Sequence, residues 1–405
     1  MCPALLSARI MHSISAIVLA AGEGRRLRPL TSNRPKPLLP AANRPFLAYV
    51  FDELLACGVT DLTVVVGYRG TRIQNHFGHE YRGTPIRYVR QEKQLGSGHA
   101  LLQAAAAING PTVVVNGDQL VDSRIVAQVW DAHVDDAVAT LAALHSDTVD
   151  RYGGLTIDDE GLATELVERP ADGAGYLLNA GAYVVTEAVL DALDSAEPAQ
   201  GELSLLDALE HLRSRGEAVR ATVTEGYWID ATYPWDLLWV SRELFELGLV
   251  GEGSGPWIDD DAHVHETAVL HGPVVIGPDA EVGAGVVLGP YAAVGQNVTL
   301  GAGSVVQNAV LDADTRVGPQ ATLVDCVTGQ GAHLGPANVV TGGPGDFRVG
   351  DAIFADEPLG AVLSDRVRTG GDVSFAPGTL VGPGAVVETG VVVNGSVPGE
   401  ATVVR

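Results

Sequence analysis

The sequence predicts an α/β domain on a doubly wound, mostly parallel sheet, followed by a parallel β-helix. Three observations carry this. Up to about residue 250, short apolar runs alternate with helical patterns. Beyond that point the apolar period changes to six. Between the two lies a glycine-rich stretch, Gly248–Pro256. The length, 405 residues, suits two or three domains at roughly 150 residues each. A hydrophobic content of 46% suffices for packed cores and excludes global disorder.

The first elements read in order. Ile14–Leu19 is a buried strand, and Pro45–Cys57 a helix with proline in its first turn. Leu62–Val66 is the next strand, and Ser97–Ile108 a helix capped by its serine. Thr112–Asn116 is a further strand and Pro234–Leu247 a closing helix. Buried strands alternating with helices argue for a parallel sheet covered on both faces. Ligands of such sheets bind beyond the carboxyl ends of the strands.

In the second half, apolar residues recur at Val264, Leu270, Ile276, Val282, Leu288, Val294, Leu300 and Val306. A one-residue deletion moves the series to Leu311, Val317 and Leu323, and it resumes at Phe375, Val381, Val387 and Val393. An insertion of about Thr341–Asp372 separates the two runs. A helix needs a spacing near 3.6 and a flat strand a spacing of two, so period six marks one side of a β-helix whose coils stack. The domains are therefore 1–247 and 261–405, joined by a linker at 248–260.

The chain has 50 acidic and 25 basic residues, a formal net charge of −25. This excludes nucleic-acid or anionic-membrane binding by the surface as a whole. Lys36 and Lys93 are the only lysines, and acid excess with lysine depletion points to a salt-loving, haloarchaeal habitat. Cys2, Cys57 and Cys326 are too scattered for a disulfide framework or a cysteine zinc site, so a reducing cytoplasm is expected. No apolar run approaches the 18 or so residues of a membrane span. Met11 precedes the first strand and is read as the true start.

The basic charge is concentrated. Residues 1–100 hold 13 basic and 6 acidic residues, and Arg25 to Arg44 hold six basic residues and no acidic one. That window looks reserved for an anion. It contains Leu19-Ala20-Ala21-Gly22-Glu23-Gly24-Arg25-Arg26-Leu27-Arg28-Pro29-Leu30-Thr31 and then Pro35-Lys36-Pro37. A strand that opens into Gly-x-Gly lets backbone N–H groups approach phosphate closely, and arginines add fixed charge. The dinucleotide pattern GxGxxG is absent. A lysine kept between two prolines, in a chain that otherwise uses arginine, suits a compact phosphate contact.

These motifs resemble the sugar-1-phosphate nucleotidylyltransferases, or NDP-sugar pyrophosphorylases, with matches over nearly all of residues 14–247 and a Rossmann-like fold. The resemblance implies that Arg26 stabilises the triphosphate in the transition state and that Lys36 contacts phosphate. It implies nucleotide binding by Leu19, Ala21, Gly22 and Gly24. Gln91-Glu92-Lys93-Gln94-Leu95-Gly96-Ser97-Gly98-His99-Ala100 resembles the pyrimidine-reading loop of uridylyl- and thymidylyltransferases, with Gln91 and the backbone at Gly96 on the base and Ser97 beside them. A polar loop ahead of a capped helix accounts for Ser97 but not for the whole string. Asp118 and Asp230 match metal-binding aspartates, and Mg²⁺ is the implied ion. Gly153, Glu168, Arg169 and Asn179 match sugar-phosphate positions, Arg169 standing where the family often has lysine. The implied reaction joins UTP or dTTP to a hexose-1-phosphate, glucose-1-phosphate foremost, by in-line attack.

The six-residue repeat resembles the left-handed β-helix of hexapeptide acyltransferases, some relatives of which also acetylate an amino-sugar phosphate. Their histidine base would fall at Pro319-Gln320-Ala321-Thr322, where this chain has none. His333 lies about a coil later and reads as an edge or interface residue, while His263, His265 and His271 stand at the domain's start. The expected role of the β-helix is therefore an oligomerisation or regulatory scaffold, by analogy a trimer. Acetylation of glucosamine-1-phosphate is the alternative.

Overall fold

A computed structural model describes residues 14–195, 201–251, 253–350 and 352–405. Cys2 and the start expected at Met11 lie outside the described residues. By compactness the chain forms two units. One holds the described residues up to Glu23 together with Leu47–Ile229, and the other holds Gly24–Phe46 and Asp230–Arg405. The division follows packing rather than the change of period, because the basic segment groups with the repeats.

The first unit is built on one mixed sheet. Strands β1 (Ile14–Ala20), β2 (Val59–Val66), β3 (Thr84–Arg90) and β4 (Thr112–Asn116) are parallel, in the order β4-β1-β2-β3. Residues 16–20 of β1 and 62–66 of β2 are buried without alternation, as expected where both faces are covered. The helix expected at Pro45–Cys57 is Phe46–Ala56. The other half of the sheet holds β5 (Ala139–Leu144), β6 (Gly153–Ile157), β7 (Ala163–Glu168), β8 (Leu177–Val185) and β9 (Val219–Val223). Here β8 runs antiparallel to β4, β5 and β6, β7 runs antiparallel to β6, and β9 is parallel to β5. Strands β6 and β7 are buried on alternate or irregular positions, so they lack the continuous apolar runs that mark β1 and β4.

The repeats of the second unit form a parallel β-helix. Val282 lies beside Leu300 and Leu288 beside Val306, so one coil is eighteen residues, three sides of six. After the deletion, Val294 faces Leu311 and Leu300 faces Val317, one residue short. The shorter coil then persists, for Leu311 faces Thr328 and Leu323 faces Val340. The insertion proves shorter than Thr341–Asp372. An antiparallel hairpin, Gly345–Val349 with Ala352–Glu357, leaves the stack, and Ala361–Leu363 rejoins it against Cys326–Thr328. The sequence hides this because Thr328 and Thr369 occupy period positions with polar side chains. Stacked valine, leucine and alanine fill the interior, with Phe375 among them. Among the described residues, no helix is long and apolar enough to cross a membrane.

Candidate functional site

The second unit gathers the cationic residues. From Gly24 the chain makes three short 3₁₀ turns, Arg25–Leu27, Leu30–Ser32 and Lys36–Leu38. Gly24 has φ +64°, and a Cβ there would stand 3.0 Å from the Lys36 Cβ and 3.3 Å from the Thr31 methyl. A glycine is therefore what lets the segment fold back on itself. The Thr31 hydroxyl donates to the Gly24 carbonyl at 2.8 Å and closes the turn. Lys36 is 6% exposed, and its Nζ donates to Asp230 Oδ1 at 2.6 Å. Thr232 donates its hydroxyl to the other oxygen, Oδ2, at 2.7 Å. The structure thus joins Gly24, Lys36 and Asp230. Arg26 is exposed, with its guanidinium 5.9 Å from the centre of the Tyr233 ring.

The first unit holds the loop read as a pyrimidine reader. Gln91 is buried, and its amide donates to the Gly96 carbonyl at 3.1 Å and meets His99 Nδ1 at 2.9 Å. Gln94 donates to the Ala21 carbonyl at 3.0 Å, which ties this loop to the end of β1 and its neighbours Leu19 and Gly22. Gly96, at φ +99°, has no space for a side chain, since a Cβ would lie 2.4 Å from the Leu203 carbonyl oxygen. Ser97 does not cap its own helix. Gly96 precedes that helix, Ser97–Gln103, and the Ser97 hydroxyl instead accepts from Leu205 N at 3.0 Å. The serine therefore pins the helix Leu205–Ser214, whose own cap is Ser204. Asp118 follows β4, where Gly117 N donates to the Leu19 carbonyl at 2.9 Å.

Three of the sugar-phosphate candidates are brought together. Gly153 on β6 pairs in register with Glu168 on β7, and Asn179 lies on β8, the other neighbour of β6. Asn179 donates to the Tyr183 hydroxyl at 2.7 Å and accepts from Gly181 N at 3.2 Å. Burial drives the Tyr183 phenol well above its usual range, so it stays protonated there. Glu168 accepts from Ser204 at 2.8 Å. Arg169 is exposed, in left-handed backbone at φ +50°. Sequence reasoning passed over Tyr183, Ser204, Thr232 and Tyr233, which carry no motif and serve by supporting residues that do.

Asp118 stands in the first unit and Asp230 in the second. Among the described residues no group of three or more His, Cys, Asp or Glu side chains could hold a metal ion. Hard carboxylate oxygens fit a hard divalent cation, which would take the rest of its shell from water and phosphate.

The nucleotidyl transferase family model matches residues 15–245, and a GMPPB C-terminal domain model matches residues 270–397. A UTP–glucose-1-phosphate uridylyltransferase, AglF, of Haloferax volcanii is 34% identical over 226 residues, 55% of this chain and 93% of its own. A low-salt glycan biosynthesis nucleotidyltransferase, Agl11, of the same organism is 33% identical over 80% of this chain and 95% of its own. A bifunctional protein GlmU of Methanococcus maripaludis is 29% identical over 97% of both chains. A solved UDP-glucose pyrophosphorylase in complex with UDP-glucose superposes with a TM-score of 0.52 at 22% identity, covering 58% of this chain and all of its own, a likeness of fold.

Proposed function

The chain belongs to the nucleotidyl transferase family, and from that premise we propose that it joins UTP or dTTP to a hexose-1-phosphate, glucose-1-phosphate foremost. Nucleotidyl transfer is the class that the relatives AglF and Agl11 share, and for AglF the acceptor is glucose-1-phosphate. The observation that carries the reading is the buried ion pair of Asp230 with Lys36, the one lysine in a segment whose other basic residues are all arginines. It sets a compact cation beside a hard oxygen donor next to the Gly-x-Gly turn.

In the proposed reaction an oxygen of the sugar phosphate attacks the α-phosphorus in line. The bond from that phosphorus to the bridging oxygen of the β-phosphate breaks, and pyrophosphate leaves with the electron pair. The attacking phosphate is already ionised, so no general base is needed. Catalysis is then chiefly positioning and charge stabilisation. Arg26 and Lys36 would meet the triphosphate. Leu19, Ala21, Gly22, Gly24, Gln91, Gly96 and Ser97 would bind the nucleotide, and Gly153, Glu168, Arg169 and Asn179 the sugar phosphate. Asp118 and Asp230 would hold Mg²⁺, which supplies Lewis-acid neutralisation of phosphate charge. The same reading assigns residues 1–247 to transfer and 261–405 to a β-helix of hexapeptide repeats that assembles as a trimer, in the cytoplasm of a halophile.

The test crosses four nucleoside triphosphates with several sugar-1-phosphates at high salt with Mg²⁺ and measures pyrophosphate. Release with a uridine or thymidine triphosphate and glucose-1-phosphate is expected, and release from no pair refutes the proposal. A second reading, additional acetylation of glucosamine-1-phosphate, is favoured by the GlmU relative's match along both chains. Against it, Gln320 in the segment where a base would stand sits at a left-handed corner, φ +60°, beside buried Ala321. Thiol release from acetyl-CoA with that sugar phosphate decides between them.

A further inference from the structure

We propose that the β-helix clamps the basic segment Gly24–Phe46 at two points and thereby positions Arg26 for transfer, an inference that rests on the transferase reading above. All the residues concerned belong to the second unit.

The first point is Arg34. It is 6% exposed and forms ion pairs with Asp312 and, at 3.2 Å, with Asp365. These aspartates stand two coils apart, for Leu311 faces Thr328 and Thr328 faces Leu363. Each carboxylate is itself held by a backbone amide. Asp312 Oδ1 accepts from Ala313 N at 2.7 Å, and Asp365 Oδ1 accepts from Gln330 N at 3.1 Å. A buried guanidinium is tolerated only where carboxylates answer its charge. The coils supply that answer at one fixed place, two residues before Lys36.

The second point is aromatic. The hairpin that leaves the β-helix carries Phe347 and Phe354. Phe347 is buried 5.1 Å from Trp235, and Phe354 lies 4.6 Å from Tyr233 and 5.2 Å from Trp235, centre to centre. Tyr233 and Trp235 stack at 4.7 Å with planes 10° apart. The Arg26 guanidinium rests on the outer member, Tyr233. A cation over a held ring keeps fewer rotamers than one in open solvent. Oriented charge is worth most when it is placed before the reaction. Tyr233, Phe354, Arg34 and Asp365 are therefore positioning residues.

The test compares Phe354→Ala, Phe354→Tyr and Asp365→Asn in the full chain by steady-state kinetics and by hydrogen–deuterium exchange. Phe354→Ala and Asp365→Asn are expected to lower kcat about tenfold while KM for both substrates moves less than about twofold. Amides of residues 24–46 should exchange faster in both variants, with those of β4 unchanged. Phe354→Tyr should restore wild-type rate and exchange. Unchanged kcat and unchanged exchange in folded Phe354→Ala overturns the clamp, and that variant alone decides if Asp365→Asn does not fold. Exchange does not depend on activity. If wild-type protein releases no pyrophosphate, faster exchange still supports the clamp while the transferase reading falls.

Discussion

Lys36 has little room to be anything larger. Its Cβ packs where a side chain on Gly24 would stand, and its Nζ already meets Asp230. A guanidinium is wider and prefers a planar fork, so Lys36→Arg should lose activity although it keeps the charge. Arg26→Ala should lower turnover ~10²-fold or more, the scale of losing one transition-state charge contact, measured as pyrophosphate release. A turnover near wild type would remove Arg26 from the mechanism. Gly96→Ala tests the other loop. Its Cβ would meet the Leu203 carbonyl at 2.4 Å, so the loop must shift, and KM for the nucleotide should rise more than KM for the sugar phosphate. Lys36 was legible in the sequence because lysine is almost absent there. Arg34 was not, since one arginine among 23 shows nothing of its burial between two distant aspartates. Ser97 stood out in the sequence as a polar residue opening a helix, but its partner did not, because Leu205 lies 108 residues away.

At the scale of elements, local signals predicted where chains turn, and long-range pairing decided what they turned into. The strands β1 and β4 were legible as buried apolar runs. The period of six was legible because each side of a coil buries one residue type at one place. The coils through Thr328 and Thr369 escaped, since a threonine at a period position reads as an interruption although it stacks in register. Caps can be tested directly. The helix Ser123–Ala132 begins at Asp122, whose carboxylate accepts from Arg124 N at 2.8 Å and from Tyr227 N at 3.3 Å. Burial opposes its charge, but hydrogen bonds from the Arg124 side chain and from these two amides outweigh it and hold the carboxyl below its ordinary range. The folded pKa therefore lies below the unfolded value of about 3.9. Its stabilisation is complete above that unfolded value and lost as pH falls through the folded one. Asp122→Ala should cost about 1–2 kcal/mol in urea unfolding at pH 7. The gap from wild type should narrow below about pH 4, and a gap that stays constant into acid would contradict the assigned charge.

The whole molecule carries two opposed electrostatic demands. Its net charge of −25 repels itself, while the first 100 residues hold an excess of basic groups suited to an anionic substrate. Salt acts on both. Between 0.1 M and 1 M the Debye length falls from about 10 Å to about 3 Å, which screens exposed charges at either site. Added KCl should thus raise Tm by relieving self-repulsion, and the same salt should raise KM for the nucleoside triphosphate by screening Arg26 and its exposed neighbours Arg25 and Arg28. Buried pairs are screened far less, so Lys36–Asp230 and Arg34 with its two aspartates should persist. The two curves therefore separate charge that stabilises from charge that binds. Melting temperature and KM should climb together from about 0.1 M to 2 M KCl, while kcat, which depends on the clamped geometry, holds nearly constant. A Tm that falls with salt would refute the self-repulsion argument. A kcat that falls in parallel with rising KM would mean that the buried ion pairs yield to salt, and that the basic segment is held by exposed charge instead.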